Sequence, residues 1–375
     1  MDTITQGILG AVTANLGFRQ KLGPGATWMA AAVAVAPDLD ILVQPLLTLS
    51  GSESDPFAQF VHHRGLSHSL LLIPFYALIP AFLWYRLRKR NHRRSNGLSS
   101  DLTNTAGQSN PSAANSVPSF WLFYGCVLVA LFTHPLLDWC TSYGTQLLAP
   151  LTNARFALDV LPIIDIFYSP LLILTLGLCW AVRVSAFRNE KITLVIAWIG
   201  FCLSLAYIAL GAINHHRAIA SLREESPDTA QAAYHAYPQV GHVFLWRVTR
   251  YDEPDWTVAR VNLLFSARTS DVQHARSDQN EWGDRAKQVP QVQTFTWFAM
   301  NQIRYEYHRE PHTHRVDVHD MRYGRSPAST DSLWPVRVLF DADTGEVLSV
   351  ERRQEFHRGS FGETVKQLWK SLWSP

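Results

Sequence analysis

Three short segments concentrate the side chains of this sequence that can do chemistry: Ala36-Pro37-Asp38-Leu39-Asp40, His62-His63-Arg64-Gly65-Leu66-Ser67-His68, and His134-Pro135-Leu136-Leu137-Asp138. Asp159 and Asp165 follow shortly after. Imidazole with carboxylate is a zinc ligand set, and more carboxylate-rich versions suit manganese or magnesium. A catalytic metal keeps a position for water, whose pKa it lowers toward neutrality. On this chemistry the expected metal ligands are Asp38, His63, His68, His134 and Asp138, with zinc first and Mn or Mg as alternatives. The expected catalytic residues are Asp40, Arg64 and Asp138. Arg64 would hold an anionic substrate group or anchor to lipid phosphate, while Asp40 and Asp138 would ligate or would orient a ligating imidazole. His134 and Asp138 stand four apart, on one helical face. His62 reads as an interfacial side chain, and Asp38 with Asp40 also fits a helix-end cap or an ion-conducting pair.

The elements that must position these groups are apolar. A spanning helix needs about 20 mostly apolar residues, and Ser69–Tyr85, Ser119–Leu137, Phe167–Val182 and Ile192–Ile213 satisfy this almost without charge. Ala26–Leu47 is apolar apart from Asp38 and Asp40, and Ile4–Phe18 is short and small-residue-rich, suited to a packed or half-buried helix. Asp2 and the lack of a cationic start argue against a signal peptide. Residues 1–213 carry 13 basic and 10 acidic side chains, whereas residues 214–375 carry 20 and 21 in a shorter stretch. Two solvents are implied, and the net charge of +2 argues against direct nucleic-acid binding. The expected fold is therefore an α-helical integral membrane domain of five to six spanning or half-buried helices (1–213), followed by a β-rich, all-β or α+β, extramembrane domain (214–375).

Lys and Arg stay cytoplasmic in short loops. Arg19 and Lys21, then Arg86 to Arg94, then Arg183, Arg188 and Lys191 mark every second loop. The His and Asp clusters fall at the other ends of the same segments. This places them, and the tail, on the outer face of a multi-pass inner-membrane protein. Residues 91–118, rich in Ser, Asn, Gly and Pro, read as a flexible cytoplasmic linker within the membrane domain. Cys126, Cys140, Cys179 and Cys202 show no paired spacing and read as buried free thiols.

In the tail, Val243–Val248, Val258–Phe265, Val292–Phe298, Ile303–Tyr307, Arg315–Asp320, Val336–Asp341 and Val347–Arg352 alternate with the period of half-buried strands. Asp343-Thr344-Gly345 reads as a turn. Ser221–Tyr237 and Thr364–Trp373 read as helices. Of His308, His312, His314 and His319, the pair His312 and His314 could present two imidazoles on one strand face but has no acidic ligand at helical or hairpin spacing, and Trp256, Trp282 and Trp297 read as core or edge aromatics.

Taken together, Asp2 with Thr5-Gln6-Gly7-Ile8-Leu9-Gly10, the Ala36–Asp40 segment, His63-Arg64-Gly65-Leu66-Ser67-His68-Ser69 and His134-Pro135-Leu136-Leu137-Asp138-Trp139-Cys140-Thr141-Ser142-Tyr143-Gly144-Thr145 resemble the LexA-binding, inner-membrane-associated metal-dependent hydrolase family. Arg155-Phe156-Ala157-Leu158-Asp159, Ile164-Asp165 and Asp320-Met321-Arg322-Tyr323-Gly324 share the likeness, which is close over residues 1–180 and loose in the tail. Gln6 stands where that family usually has His, and Gln is a poor zinc ligand; Ser67 replaces the usual Thr. The resemblance implies a bacterial inner-membrane hydrolase with a bound divalent metal. The residues fit a site that cleaves an ester or phosphoester, with a lipid or lipid-linked substrate. Two further readings stay open: a non-catalytic regulatory protein binding a cytosolic partner through residues 86–118, and an ion- or proton-coupled transporter using the same carboxylates.

Overall fold

Helix α1 (Thr3–Asn15) begins where the Asp2 carboxylate accepts a hydrogen bond from the Thr5 amide at 2.9 Å, an N-cap that satisfies an otherwise orphaned donor. The computed structural model describes residues 1–50, 56–103, 116–186, 189–225, 232–264 and 268–353. From Thr5 to Asn15 every α1 residue except Ile8 is buried, so α1 is a packed helix inside the bundle. It follows from the short helix α2 (Phe18–Leu22) that the chain reverses, and α3 (Gly25–Val35) returns antiparallel along α1. At Gly7 and Gly10 the α3 surface of Ala30, Ala34 and Val35 comes so close that a side-chain carbon would overlap it. Glycine is required there to let two backbones approach, as in small-residue contacts between membrane helices.

Pro37 sits at the start of a 3-10 turn, Ala36–Leu42, that continues α3 with tighter winding. Helix α4 (Val43–Leu49) and helix α5 (Ala58–His62) follow, then a 3-10 turn at Leu66–His68 and helix α6 (Ile73–Tyr76). Helix α7 (Leu78–Thr103) completes this stretch. Helix α8 (Phe120–Trp139) is apolar with Pro135 inside it. Helix α9 (Tyr168–Val184) and helix α10 (Glu190–Glu225) close the helical region.

Among the described residues three helical stretches are long and apolar enough to cross a membrane: Gly25–Leu42, α8 and α10. The pair Ala58–His68 and Ile73–Ser95, bent by 71°, makes a fourth if counted as one broken span. That bend falls at residues 69–72, the start of the expected span Ser69–Tyr85, whose remainder lies in the second limb. The expected linker is also helical in part: α7 runs through Thr103, and residues 104–115 lie outside the described ones.

The boundary expected at residue 213 falls inside α10. This helix has 36 residues, about 54 Å at 1.5 Å per residue, well beyond the roughly 30 Å of hydrocarbon. Its last turns pack Ala218 and Leu222 against Ala236, Trp246, Val248, Ala259 and Val261 of the first sheet. That sheet is an antiparallel meander of β1 (Ala233–Pro238), β2 (Leu245–Asp252), β3 (Asp255–Asn262) and β4 (Arg268–Arg276). Strand β1 replaces the C-terminal part of the expected helix Ser221–Tyr237.

Helices α11 (Glu281–Lys287) and α12 (Pro290–Phe298) precede a second meander, β5 (Ile303–Arg309), β6 (Thr313–Asp320), β7 (Val336–Asp341) and β8 (Val347–Arg352). The expected strand Val292–Phe298 is helical because Pro290 opens a helix and Val292, Phe295 and Phe298 recur every three residues, forming a buried stripe. That stripe packs on Val316, Val318, Val336, Val338 and Phe340 of the sheet and on Phe57 and Phe60 beside α5. The β7–β8 turn is as expected, with Asp341 Oδ1 accepting from the Asp343 and Thr344 amides and Gly345 at φ +71°. The helix expected at Thr364–Trp373 lies outside the described residues. Gly10→Val should lower stability in detergent by about 1–3 kcal/mol or more through overpacking against α3; an unchanged thermal unfolding midpoint would contradict this contact.

Candidate metal centre

His134 and Asp138 come from one face of α8, Asp38 from the 3-10 turn after α3, and His68 from the turn before α6. His68 Nε2 lies 3.0 Å from His134 Nε2 and 3.3 Å from Asp138 Oδ2. His134 Nε2 lies 3.3 Å from Asp38 Oδ1 and 3.6 Å from Asp138 Oδ2, and His68 Nε2 is 3.6 Å from Asp38 Oδ1. Bonds of about 2.0–2.2 Å in a tetrahedron set ligand-to-ligand edges at roughly 3.3–3.6 Å. Five of the six edges among these donors thus lie at 3.0–3.6 Å, close to the spacing of a tetrahedral site of two nitrogens and two oxygens.

The hydrogen bonds behind the rings fix their tautomers. His134 Nδ1 is 2.5 Å from the Ala34 carbonyl, which can only accept, so Nδ1 carries the proton. Ser67 donates its single hydroxyl proton to Asp40 Oδ2 at 2.5 Å, so at 2.9 Å from His68 Nδ1 it accepts. In the neutral form of each ring Nε2 is therefore the atom that carries the lone pair, and the two Nε2 atoms face each other. Two neutral rings in this arrangement repel at 3.0 Å unless a cation, a metal ion or a proton, lies between the nitrogens. Asp138 Oδ2 is buried, paired with Arg64 Nε at 3.0 Å, and directed at the same point as the two Nε2 atoms. The donor set fits a bound divalent metal.

The surrounding residues hold this set in place. Asp138 Oδ1 accepts from Gln6 Nε2 at 2.9 Å and lies 2.6 Å from the Met1 amino group. Through this amide nitrogen Gln6 orients Asp138. Thr3 Oγ1 donates to Asp38 Oδ2 at 2.6 Å. Asp40, expected in catalysis, accepts from the Arg64 amide at 3.1 Å and lies 2.8 Å from His63 Nδ1 through Oδ1. His63, expected among the ligands, is placed outside the four-donor cluster: its Nδ1 faces Asp40, and its ring stands 5.9 Å from that of His68. Arg64, expected to face a substrate anion, is turned inward and buried. Its left-handed backbone, φ +60°, swings the side chain to Asp138, with Nε 3.0 Å from Oδ2 and Nη1 donating to Thr141 Oγ1 at 2.8 Å. Tyr143 lies under the guanidinium at 4.7 Å. His62 is exposed. Sequence reasoning missed the orienting roles of Gln6, Ser67, Thr141 and Tyr143. Ser67, Thr141 and Tyr143 sit inside segments it had singled out, but their roles depend on chain folding.

Residues 1–218 match the model of a family described as YdjM inner membrane protein. The chain belongs to that family. No curated protein and no solved structure is significantly similar to it. The family's inner-membrane location agrees with the apolar helices, and all four donors lie within the matched residues. The second sheet lies beyond the match.

That sheet holds another acidic and imidazole group, Glu306, His319 and Asp331. Here the tautomer is reversed. His319 Nδ1 accepts from the Ser332 amide at 3.1 Å, which leaves the proton on Nε2, directed at Glu306 Oε2 at 3.2 Å. Arg304 lies 2.7 Å from Glu306 and 3.5 Å from Asp331. His319 and then Arg304 hold the Glu306 carboxyl well below the usual carboxylate range. This group is an ion-pair network and does not fit a metal. His314 stacks on Trp282 at 3.8 Å and meets the Tyr307 hydroxyl at 2.7 Å, consistent with a packing role. The four cysteines are free thiols; Cys126, Cys140 and Cys179 are buried, but Cys202 is exposed on α10.

The two remaining acids of the loop after α8 serve the scaffold. Asp165 caps α9 through the Phe167 and Tyr168 amides, both at 2.8 Å, and accepts from the Tyr207 hydroxyl of α10 at 2.9 Å. Asp159 has φ +55°, and burial pushes its carboxyl up to about 6. A carboxyl raised on folding binds protons more tightly in the native state, so its contribution favours the fold below about pH 4 and is lost as pH rises through 6. Asp159→Asn, which keeps the left-handed backbone accessible, should raise the unfolding midpoint above wild type near neutral pH. The difference should vanish at about pH 4; a pH-independent difference would contradict the assignment.

Proposed function

We propose that the protein is a metal-dependent hydrolase of the inner membrane, with the metal held by Asp38, His68, His134 and Asp138. The observation that carries this reading is the convergence of His68 Nε2, His134 Nε2, Asp38 Oδ1 and Asp138 Oδ2 at 3.0–3.6 Å, with the opposite nitrogen of each ring engaged from behind. Zinc suits the tetrahedral spacing and the mixed nitrogen and oxygen donors. When bound, such an ion supplies Lewis acidity and makes water a competent nucleophile near neutral pH.

The chain's own residues provide the rest. His68, His134 and Asp138 are fully buried, whereas Asp38 and Asp40 keep slight exposure and His63 is half-buried, so the accessible edge of the centre is this last trio. Asp40 accepts the His63 Nδ1 proton and so fixes Nε2 as the basic nitrogen. In this reading His63 takes a proton from attacking water and returns it to the leaving group. Asp40 is the carboxylate that orients it, and Arg64 stabilises Asp138 as a charged ligand.

A cavity of about 390 Å³ adjoins this edge, lined by Asp40, Ser67, Gln146, Leu66, Val43 and Val61. Leu39, Ile41, Leu42 and Leu66 are exposed around it. Apolar side chains exposed in a membrane protein face lipid, which favours an amphiphilic ester or phosphoester whose polar group reaches the centre from the bilayer surface. Orientation is supported by the opposite end of α1. There Arg183 donates to Asn15 at 2.8 Å, Arg88 to the Leu22 carbonyl at 3.3 Å, and Arg19 to Thr27 at 3.1 Å. A basic belt at one end of α1 and the His/Asp centre at the other fit a cytoplasmic belt and a periplasmic site and tail.

Protein purified in detergent should contain about one zinc per chain. His68→Ala/His134→Ala should lose it by elemental analysis; full metal retention in this variant would overturn the reading. His63→Gln should keep the metal and lower turnover of a responsive phosphoester or ester by roughly 10²- to 10⁴-fold.

A further inference from the structure

We propose that the β-rich tail completes the centre through Arg322, a positioning residue that holds the loop carrying Thr141 and Tyr143 against Arg64. The inference rests on the metal reading above and adds to it a part of the chain beyond the family match.

Arg322 is fully buried and paired in two-pronged fashion with Asp320, Nε to Oδ1 at 3.0 Å and Nη2 to Oδ2 at 2.7 Å. That pairing fixes the plane of the guanidinium and leaves Nη1 to reach across to the helical half. It donates to the carbonyls of Ser142 at 3.0 Å and Tyr143 at 3.3 Å. A second arginine, Arg155, donates to the next carbonyl, Gly144, at 2.7 Å. The loop after α8 is thus gripped by its backbone rather than by its side chains.

What the loop holds is the far side of the centre. Thr141 Oγ1 donates to the Asp138 carbonyl and accepts from Arg64, both at 2.8 Å. The Tyr143 ring stands against Arg64 on one side and 5.4 Å from the His63 ring on another. Behind it lies Phe298 of α12, at 5.0 Å, with Arg322 over Phe298 at 4.8 Å. Arg64 in turn faces Asp138 Oδ2, the carboxylate oxygen directed at both Nε2 atoms. A shift of the loop therefore moves Arg64 and changes the direction and donor strength of Asp138. Partners at this remove from a metal typically change affinity by roughly 10- to 100-fold.

The test uses cobalt(II) as a spectroscopic substitute in full-length protein in detergent. Asp320→Asn/Arg322→Gln replaces the buried ion pair by a neutral one. Tyr143→Leu removes the ring while keeping the backbone carbonyl, and carries the same test if the first variant does not fold. Arg337→Gln removes a pair with Asp317 on the second sheet, away from the centre, and controls for general loss of stability. The expected result is an altered visible absorption band and roughly 10-fold or greater loss of cobalt affinity in the first two variants. Arg337→Gln should keep the wild-type band even with a lower unfolding midpoint. A wild-type band and affinity in Tyr143→Leu and in the folded Asp320→Asn/Arg322→Gln protein would overturn the inference while leaving the metal reading intact. Wild-type protein that takes up no cobalt would overturn both.

Discussion

The structure depends on keeping one carboxylate charged in a place that excludes water. Asp138 is fully buried at the end of an apolar helix, where an uncompensated charge costs several kcal/mol. Its two oxygens are shared between the Met1 amino group, Gln6 and Arg64, and the second also faces both imidazoles. Each of those groups has to be delivered by a different element. The close approach of α1 and α3 at glycines, the broken helix that carries Arg64 and His68, and the loop after α8 all serve that delivery.

The same economy explains the contrast between the two acidic and imidazole groups. Both contain a buried histidine with carboxylates in reach. At the group of Asp38, His68, His134 and Asp138 each ring is held from behind by an acceptor, a carbonyl or a hydroxyl already donating elsewhere, so the inward nitrogen is the basic one of the neutral ring. At the second sheet the ring is held from behind by an amide donor, so the inward nitrogen is a donor and the nearby arginine completes an ion pair. Composition and spacing cannot separate these cases; the polarity of one hydrogen bond per ring does.

Much of this was readable from the chain. The order of apolar segments followed by alternating strands gave a helical and then a β-rich half, and the four clustered donors all came from segments flagged by cost, since ionisable groups within apolar runs are retained for a reason. His63 and Arg64 were harder. Their neighbour His68 is five residues on, and only the left-handed turn at Arg64 shows that His63 falls on the far side of Asp40 while Arg64 points inward. Strand β4 was missed because Arg268–Arg276 is an exposed edge with no apolar alternation. Helix α12 read as a strand because Val292, Thr294, Thr296 and Phe298 mimic a period of two, and the competing three-residue stripe decides only when a sheet and Phe60 are present to bury it.

Helix α10 gives the molecule a property that neither half has alone. A single rod that is long and apolar enough to cross a membrane also serves, without a break, as the floor of the first sheet. The distance of the first sheet from the apolar part of α10 is therefore set by helix rise rather than by a tether. Ala218 and Leu222 on the first sheet, and Phe60 on Phe298 and the second sheet, form two apolar contacts between the helical half and the tail. Parting them would leave each half with a greasy face turned to water, so the two halves behave as a single folding unit that happens to straddle two solvents.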